Sequence, residues 1–486
     1  MLLTSRRLRA ALLAAASASL VAAALPPPTA LGIGDSLFPH LGNPGYDVQG
    51  YDIALTYGGT NTKPLDSVTK IDAVATEALD RINLDFTHGT VRTVVVNGRP
   101  AQFTTVGEDL VVDPETVVAP GTGMRITVTH TSDPNGPADA GGWVRTRDGL
   151  AMANQADAAH RVFPSNDHPA DKAYFTFRIT APKQYTAVAN GVRTARATVG
   201  ATSTWVYRTK HPMATELAQV SIGRSSVLRR EGPGGLPVRD VVPTADRKKL
   251  EPWLKKTPAH LEWMEQKVGR FPFETYGVLI ADASTGYELE TQTLSLFEKH
   301  IFTSAVFPEW YIDSVMVHEL SHQWFGDSVT PRTWSDLWLN EGHATWYEAM
   351  YAEEMAKQPL ETRMREAYKR SDQWRAAGGP PAAPQPPAPG KKISLFRPVV
   401  YDGSALVLYA LRQTIGADAF GQLERAWVRE YRDSTAGTDD FAALASRISG
   451  HNLSEFFQEW LYAAKTPPMP GHPDWRSTAA KAPAAR

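Results

Sequence analysis

The sequence predicts an α+β protein of more than one domain, β-rich in its N-terminal half and helical beyond about residue 237. Three observations predict it. Segments between Tyr46 and Gly223 alternate apolar and polar residues with the period of two of a half-buried strand. Later segments space their apolar residues at helical intervals. A chain of 486 residues, 42% hydrophobic and 21% charged, is also longer than one core usually organises, which implies two or three domains.

In chain order, residues 1–30 read as a secretory signal. Arg6, Arg7 and Arg9 precede an Ala-rich apolar stretch from Ala10 to Leu25, then Pro26 to Ala30. That stretch is short for a spanning helix, and no other segment approaches about 20 apolar residues. The expectation is a secreted, extracellular protein with no stable membrane association once the leader is removed. The net charge of −2 offers no electrostatic case for nucleic acid as a partner. There are no cysteines, which excludes disulfides, thiol nucleophiles and thiolate metal ligands. Any metal must therefore be held by histidine and carboxylate.

An N-terminal β domain is expected over residues 45–230. Ile82 to Phe86 and Met124 to Thr129 alternate as half-buried strands, and Tyr174 to Ile179 and Trp205 to Tyr207 continue the pattern. Val94-Val95-Val96 ends in Asn97-Gly98, the pair that favours a tight hairpin turn. Regular short strands with turn signals suggest a sandwich or saddle. Gly and Pro between Arg229 and Pro237 mark a linker, and a catalytic domain is expected over residues 236–470. Its helices are read at Leu250 to Val268, Asp313 to Gly326, around Glu341 to Ala356, around Leu406 to Leu411 and around Phe456 to Leu461. Pro and Ala from Gly378 to Gly390 predict an exposed loop, and residues 471–486 a disordered tail.

Chemistry concentrates in His318-Glu319-Leu320-Ser321-His322, followed after eighteen residues by Glu341 in Asn340-Glu341-Gly342-His343. Histidines four apart on a helix stand one above the other, about 6 Å apart along the axis. Both can reach one ion, with Glu319 bordering the same space. Glu341 can supply the third protein ligand that a catalytic zinc site needs beside its open position. Val315, Met316, Val317, Leu320, Trp324 and Phe325 surround the motif, and burying two histidines and a glutamate among them is costly unless a metal pairs with them. One Zn²⁺ per chain is expected, held by His318, His322 and Glu341.

The runs His318 to Asp327 and Trp338 to Gly342 resemble the gluzincin aminopeptidases related to aminopeptidase N and leukotriene hydrolase. Phe163 to Ala173, Pro212 to Thr215 and Gly269 to Phe273 extend the resemblance over roughly Tyr46 to Pro470. It implies an N-terminal β saddle on a thermolysin-like catalytic domain, without the large C-terminal helical domain of longer members and with a site more open to solvent. It implies that Glu319 is the general base and Tyr401 a donor to the tetrahedral oxyanion. Glu290, in Tyr287-Glu288-Leu289-Glu290-Thr291, matches the carboxylate that binds the substrate's α-amine, although Glu288 competes as an anchor because the surrounding motif is altered. Gln155 resembles a β-domain glutamine that contacts the substrate N-terminus. Glu348, and less strongly Asp327 and Asp336, are candidates to orient the histidine ligands. The function implied is a secreted, monomeric zinc aminopeptidase acting on peptides with a free N-terminus. A zinc endopeptidase on the same fold, an epoxide-opening hydrolase and a secreted peptide-binding protein with little activity remain open at this point.

Overall fold

The computed structural model describes residues 32–136, 141–387 and 392–478. The expected signal at residues 1–30 lies outside them. Among the described residues no helix is long and apolar enough to cross a membrane.

A ten-stranded sheet dominates the first half, running from the edge strand Val192–Val199 through Thr202–Arg208, Tyr174–Pro182, Tyr46–Thr56, Leu65–Ala75 and onward to Ile82–Asp85. Its strands are mostly antiparallel, but Tyr46–Thr56 pairs in parallel with Tyr174–Pro182. Alternation is observed where it is expected: Gly123–Ser132 and Tyr174–Pro182 bury every second residue. Asn97 and Gly98 take φ of 51° and 81° and join Val91–Val96 to Arg99–Val106, with Val96 opposite Arg99, the left-handed geometry of a tight hairpin. One strand departs from expectation. Ile82–Asp85 is buried at all four positions; Asp85 is satisfied there by hydrogen bonds from Asn43 Nδ2 (3.1 Å) and the Asp167 amide (2.7 Å), whereas the Asn83 side-chain amide has no hydrogen-bond partner among the described residues. A second, four-stranded sheet contains Leu150–Ala153 and leads directly to Gln155.

The Gly/Pro stretch expected as a linker is instead a hairpin connection. Ser225–Glu231 pairs antiparallel with Pro237–Pro243 across it, and both belong to the sheet completed by Val278–Ala281 and Ser295–Glu298. The helix expected from Leu250 to Val268 is two helices, Arg247–Leu254 and Thr257–Val268. Pro258 in the first turn of the second explains the break, since it has no amide hydrogen to bond back to Leu254 and so favours a new helix start, although Pro252 is accommodated inside the first. The first ligand-bearing helix is Glu309–Ser321, earlier at both ends than expected, and His322 is its C-cap.

Two large apolar cores fill the molecule, one under the β sheets and one among the helices. A third, small cluster sits where they meet. It joins Leu37, Phe38 and Leu41 of the N-terminal segment to Ala156, Trp334 and the Leu395–Val400 loop. Asp35 secures that segment by accepting hydrogen bonds from the Trp334 amide at 2.9 Å and from His168 at 3.2 Å.

Two irregular segments are better packed than their composition suggests. After the helix Leu360–Gly378 ends, Ala382 enters the helical core and its amide donates to Leu461 O, so this part of the expected exposed loop is docked. Residues 471–478 of the expected tail are ordered against the helices: Trp475 is 4% exposed and stacks on Tyr409 at 5.9 Å, and the Thr478 amide donates to Lys369 O. The indole drives this docking, because a buried tryptophan removes a large apolar area from water. Replacing it, as Trp475→Ala, is expected to lower stability by about 3 kcal/mol, read from chemical denaturation, whereas a frayed tail would leave the midpoint unchanged.

Candidate metal centre

Two helices build the site. Glu309–Ser321 carries His318 and Glu319 and ends at His322, and Leu337–Ala356 carries Asn340, Glu341 and Glu348. Glu341 must come close to the histidines, and Gly342 beside it lets a third helix, Asp402–Ile415, pack tightly: a Cβ there would lie 2.7 Å from that of Ser404. Tyr401 stands at the N-terminus of this third helix.

The three expected ligands converge. His318 Nε2 and His322 Nε2 lie 3.4 and 3.6 Å from Glu341 Oε2, and the two rings are 4.8 Å apart. Tetrahedral ligands at zinc distances are separated by about 3.4 Å, so the spacing fits one zinc ion. Hydrogen bonds fix the tautomers. His318 Nδ1 donates to Glu348 Oε2 at 3.1 Å, and His322 Nδ1 donates to Asn340 Oδ1. Both partners are acceptors, so each Nδ1 carries the proton and each Nε2 presents a lone pair inward. Glu341 Oε2 and Glu319 Oε2 are buried without hydrogen-bond partners, which suits atoms meant for a cation and a water. A second grouping, Glu290, Glu319 and His322, is also compact. It fits a metal less well, because the His322 nitrogen nearest Glu290 is the Nδ1 already bonded to Asn340.

The centre lies in a cavity of about 840 Å³ lined also by Gln155, Glu288, Glu290 and Tyr401. Burial, with the charges of Glu290, Glu288 and Glu341 adding and His318 opposing, pushes the Glu319 carboxyl well above its usual range. A bound dication opposes such a shift. Burial and the charge of Glu298 push Glu288 up to about 7. Glu348 behaves oppositely: burial raises it, but the Arg363 guanidinium and the His318 bond outweigh burial and hold it at about 2. Burial and the surrounding glutamates keep the Tyr401 phenol protonated, and its ring lies 6.1 Å from that of His318.

Glu290 is 2% exposed, and its Oε1 accepts from Gln155 Nε2 (2.7 Å) and Asn340 Nδ2 (3.1 Å). The structure thus brings Gln155, Glu290, Glu319 and Tyr401 into one cavity with His318, His322 and Glu341. Two neighbours carry more than their motif suggested. Asn340 links two site residues through one amide, accepting from His322 and donating to Glu290. Gln323, next to His322 in sequence, donates to Glu290 O and accepts from the Thr293 amide, fixing the segment that carries Glu290. Arg363, which bridges Glu348 and Asp402 at 2.8 Å each, had no sequence signal at all. Of the other candidates for orienting histidine, Asp336 bonds Thr333 and Thr438, and the Asp327 carboxylate has no hydrogen-bond partner. His343 faces away, stacked on Phe325 and bonded to Glu424.

Residues 150–217 match the peptidase M1 N-terminal domain and residues 254–460 the peptidase family M1 domain, together more than half of the chain. The chain belongs to the peptidase M1 family. Among M1 relatives, glutamyl aminopeptidase of Mus musculus is 24% identical over 64% of this chain, and aminopeptidase N of Streptomyces lividans 25% identical over 63%. The chain spans about a third of the length of these relatives, 34% and 37%. The crystal structure of the M1 zinc metallopeptidase from Deinococcus radiodurans matches 93% of this chain and 100% of its own, with a TM-score of 0.77 at 26% identity. A mutant of that enzyme has been crystallised bound to a Tyr-Ser-Ala substrate, and it matches 91% of this chain and 100% of its own with the same TM-score and identity. Two domains, a β saddle and a helical catalytic half, are the M1 architecture seen here.

Because Glu348 and Asn340 orient the imidazoles, Glu348→Ala or Asn340→Ala is expected to weaken zinc binding about 10- to 100-fold. Competition with a chromogenic chelator measures this, and unchanged affinity would remove the orienting role.

Proposed function

We propose that this M1 protein is a zinc aminopeptidase that removes the first residue of peptides with a free N-terminus. The observation that carries the reading is the position of Glu290, whose carboxylate lies 3.9 Å from His322 Nδ1 in the cavity of the ligands. The nitrogen and carbonyl carbon of one residue are only about 2.5 Å apart. An ammonium held by Glu290 and Gln155 therefore leaves room for one residue before the scissile carbonyl reaches the ligand triad. Restriction to the N-terminus follows from positioning, with no change of reaction.

His318, His322 and Glu341 would hold the zinc ion, which supplies Lewis acidity and lowers the pKa of a water toward neutrality. Glu319, its Oε2 free of protein partners, takes the proton of the attacking water and returns a proton to the leaving amine. Tyr401, kept neutral by its surroundings, donates its phenolic hydrogen to the oxygen on which charge develops. Glu348 and Asn340 hold the imidazoles in the tautomers that leave Nε2 inward. The basic, then apolar, then proline-bearing pattern of residues 1–30 supports export of the protein.

Turnover of alanyl arylamides by the zinc-loaded protein, lost on chelation, tests the activity. Glu319→Ala is expected to keep its zinc while the rate falls by about 10²- to 10⁴-fold. Near-normal turnover would rule Glu319 out as the base. Glu290→Ala should impair cleavage of a free-amine substrate more than that of its N-acetylated counterpart. A wild-type preference for blocked substrates would favour an endopeptidase instead, and zinc-independent binding without turnover a peptide-binding protein.

A further inference from the structure

Beside Glu290 the cavity wall carries a carboxylate that the proposed reaction does not use. Glu288 precedes Glu290 by two residues, with Leu289 between them bridged to Leu296 and buried in the β-side core. Side chains two apart on an extended segment share a face, and both glutamates line the cavity. Glu298 accepts from the Gly286 amide and the Thr285 hydroxyl, at 2.7 and 2.9 Å, which shapes the turn that delivers Glu288.

Two residues along an extended segment span about 7 Å, so Glu288 stands one step further along the cavity wall than Glu290. Glu290 is beside His322 and bonded to Gln155. Glu288 shares the cavity wall with Tyr311, Val315 and His318 of the first ligand-bearing helix. A substrate whose ammonium sits at the His322 end and whose first carbonyl lies over the ligands continues toward the His318 end. Its second residue then meets Glu288. No lysine or arginine among the described residues is ion-paired with Glu288, and Trp310 and Tyr311 line the same cavity. Trp310 is 38% exposed at the rim, and Tyr311 is stacked on Phe307 at 5.6 Å. A carboxylate in a cavity that aromatic rings also line suits a guanidinium or ammonium, through charge pairing and cation–π attraction. A cation seated there also favours the ionised form of the carboxylate.

We propose that Glu288 determines selectivity for the residue after the cleaved bond, favouring arginine or lysine at that position. This rests on the aminopeptidase reading, so the test uses binding and does not depend on turnover. Calorimetry would compare Ala-Arg with Ala-Leu on the zinc-loaded, full-length Glu319→Ala protein and on the same protein carrying Glu288→Gln. Ala-Arg is expected to bind about tenfold tighter than Ala-Leu to the first and within about twofold of it to the second. With Glu288→Lys the preference should turn toward Ala-Glu. An Ala-Arg preference that is absent, or that survives both substitutions, overturns the proposal. So does an effect of Glu288→Gln on Arg-Ala in place of Ala-Arg, which would assign the residue to the first position. Failure of the aminopeptidase reading shows separately, as intact free-amine peptides after incubation with zinc-loaded wild-type protein.

Discussion

Carboxylates buried together without matching cations are the constraint on which the site depends. Glu288, Glu290, Glu319 and Glu341 line one cavity with no lysine or arginine partner among the described residues, while Glu348 in the same wall is matched by Arg363, which also pairs with Asp402. Desolvated like charges raise one another's pKa and resist ionisation. An arrangement of this kind is stable in its charged form when positive charge arrives from outside the chain, and two sources are chemically apt. A divalent cation matches the triad of His318, His322 and Glu341, and a substrate ammonium matches Glu290. On the proposed function, the metal and the free amine would be two answers to one electrostatic requirement.

Keeping those charges at useful separations is a packing problem, and the fold solves it at the junction of its two halves. Gln155 comes from the β domain, Glu290 from the segment between strands, and Asn340 from a catalytic helix, yet they share one hydrogen-bonded group. The small apolar cluster at the same junction ties the N-terminal segment to Ala156 beside Gln155 and to Val400 beside Tyr401. Interiors packed this densely transmit small displacements, so the register of the N-terminal segment bears on the positions of both side chains.

Legibility in the sequence followed how local each feature was. Asn97-Gly98 turns a hairpin through backbone preferences of two residues, and the alternation of Met124 to Thr129 needs only a one-sided sheet. Features settled by distant partners were misread. Asp85 looked solvent-facing until Asn43 and the Asp167 amide satisfied it, and Pro- and Ala-rich residues near Ala382 and Trp475 found apolar partners on helices far along the chain. The Gly/Pro stretch near residue 233 marks a turn in either reading, and only strand pairing distinguishes a hairpin from a linker.

By itself the sequence brought forward the residues that could hold a metal and the glutamate beside them. His318, Glu319 and His322 share a helix face by periodicity alone, and with no cysteine in the chain the third ligand had to be a carboxylate or another histidine. Tertiary structure decided what surrounds them. That Asn340 bonds both His322 and Glu290, that Arg363 holds Glu348, and that Glu288 and Glu290 line one cavity with the ligands are facts of three-dimensional proximity. Periodicity can place residues on one helix, but which side chains meet across separate elements depends on how those elements pack.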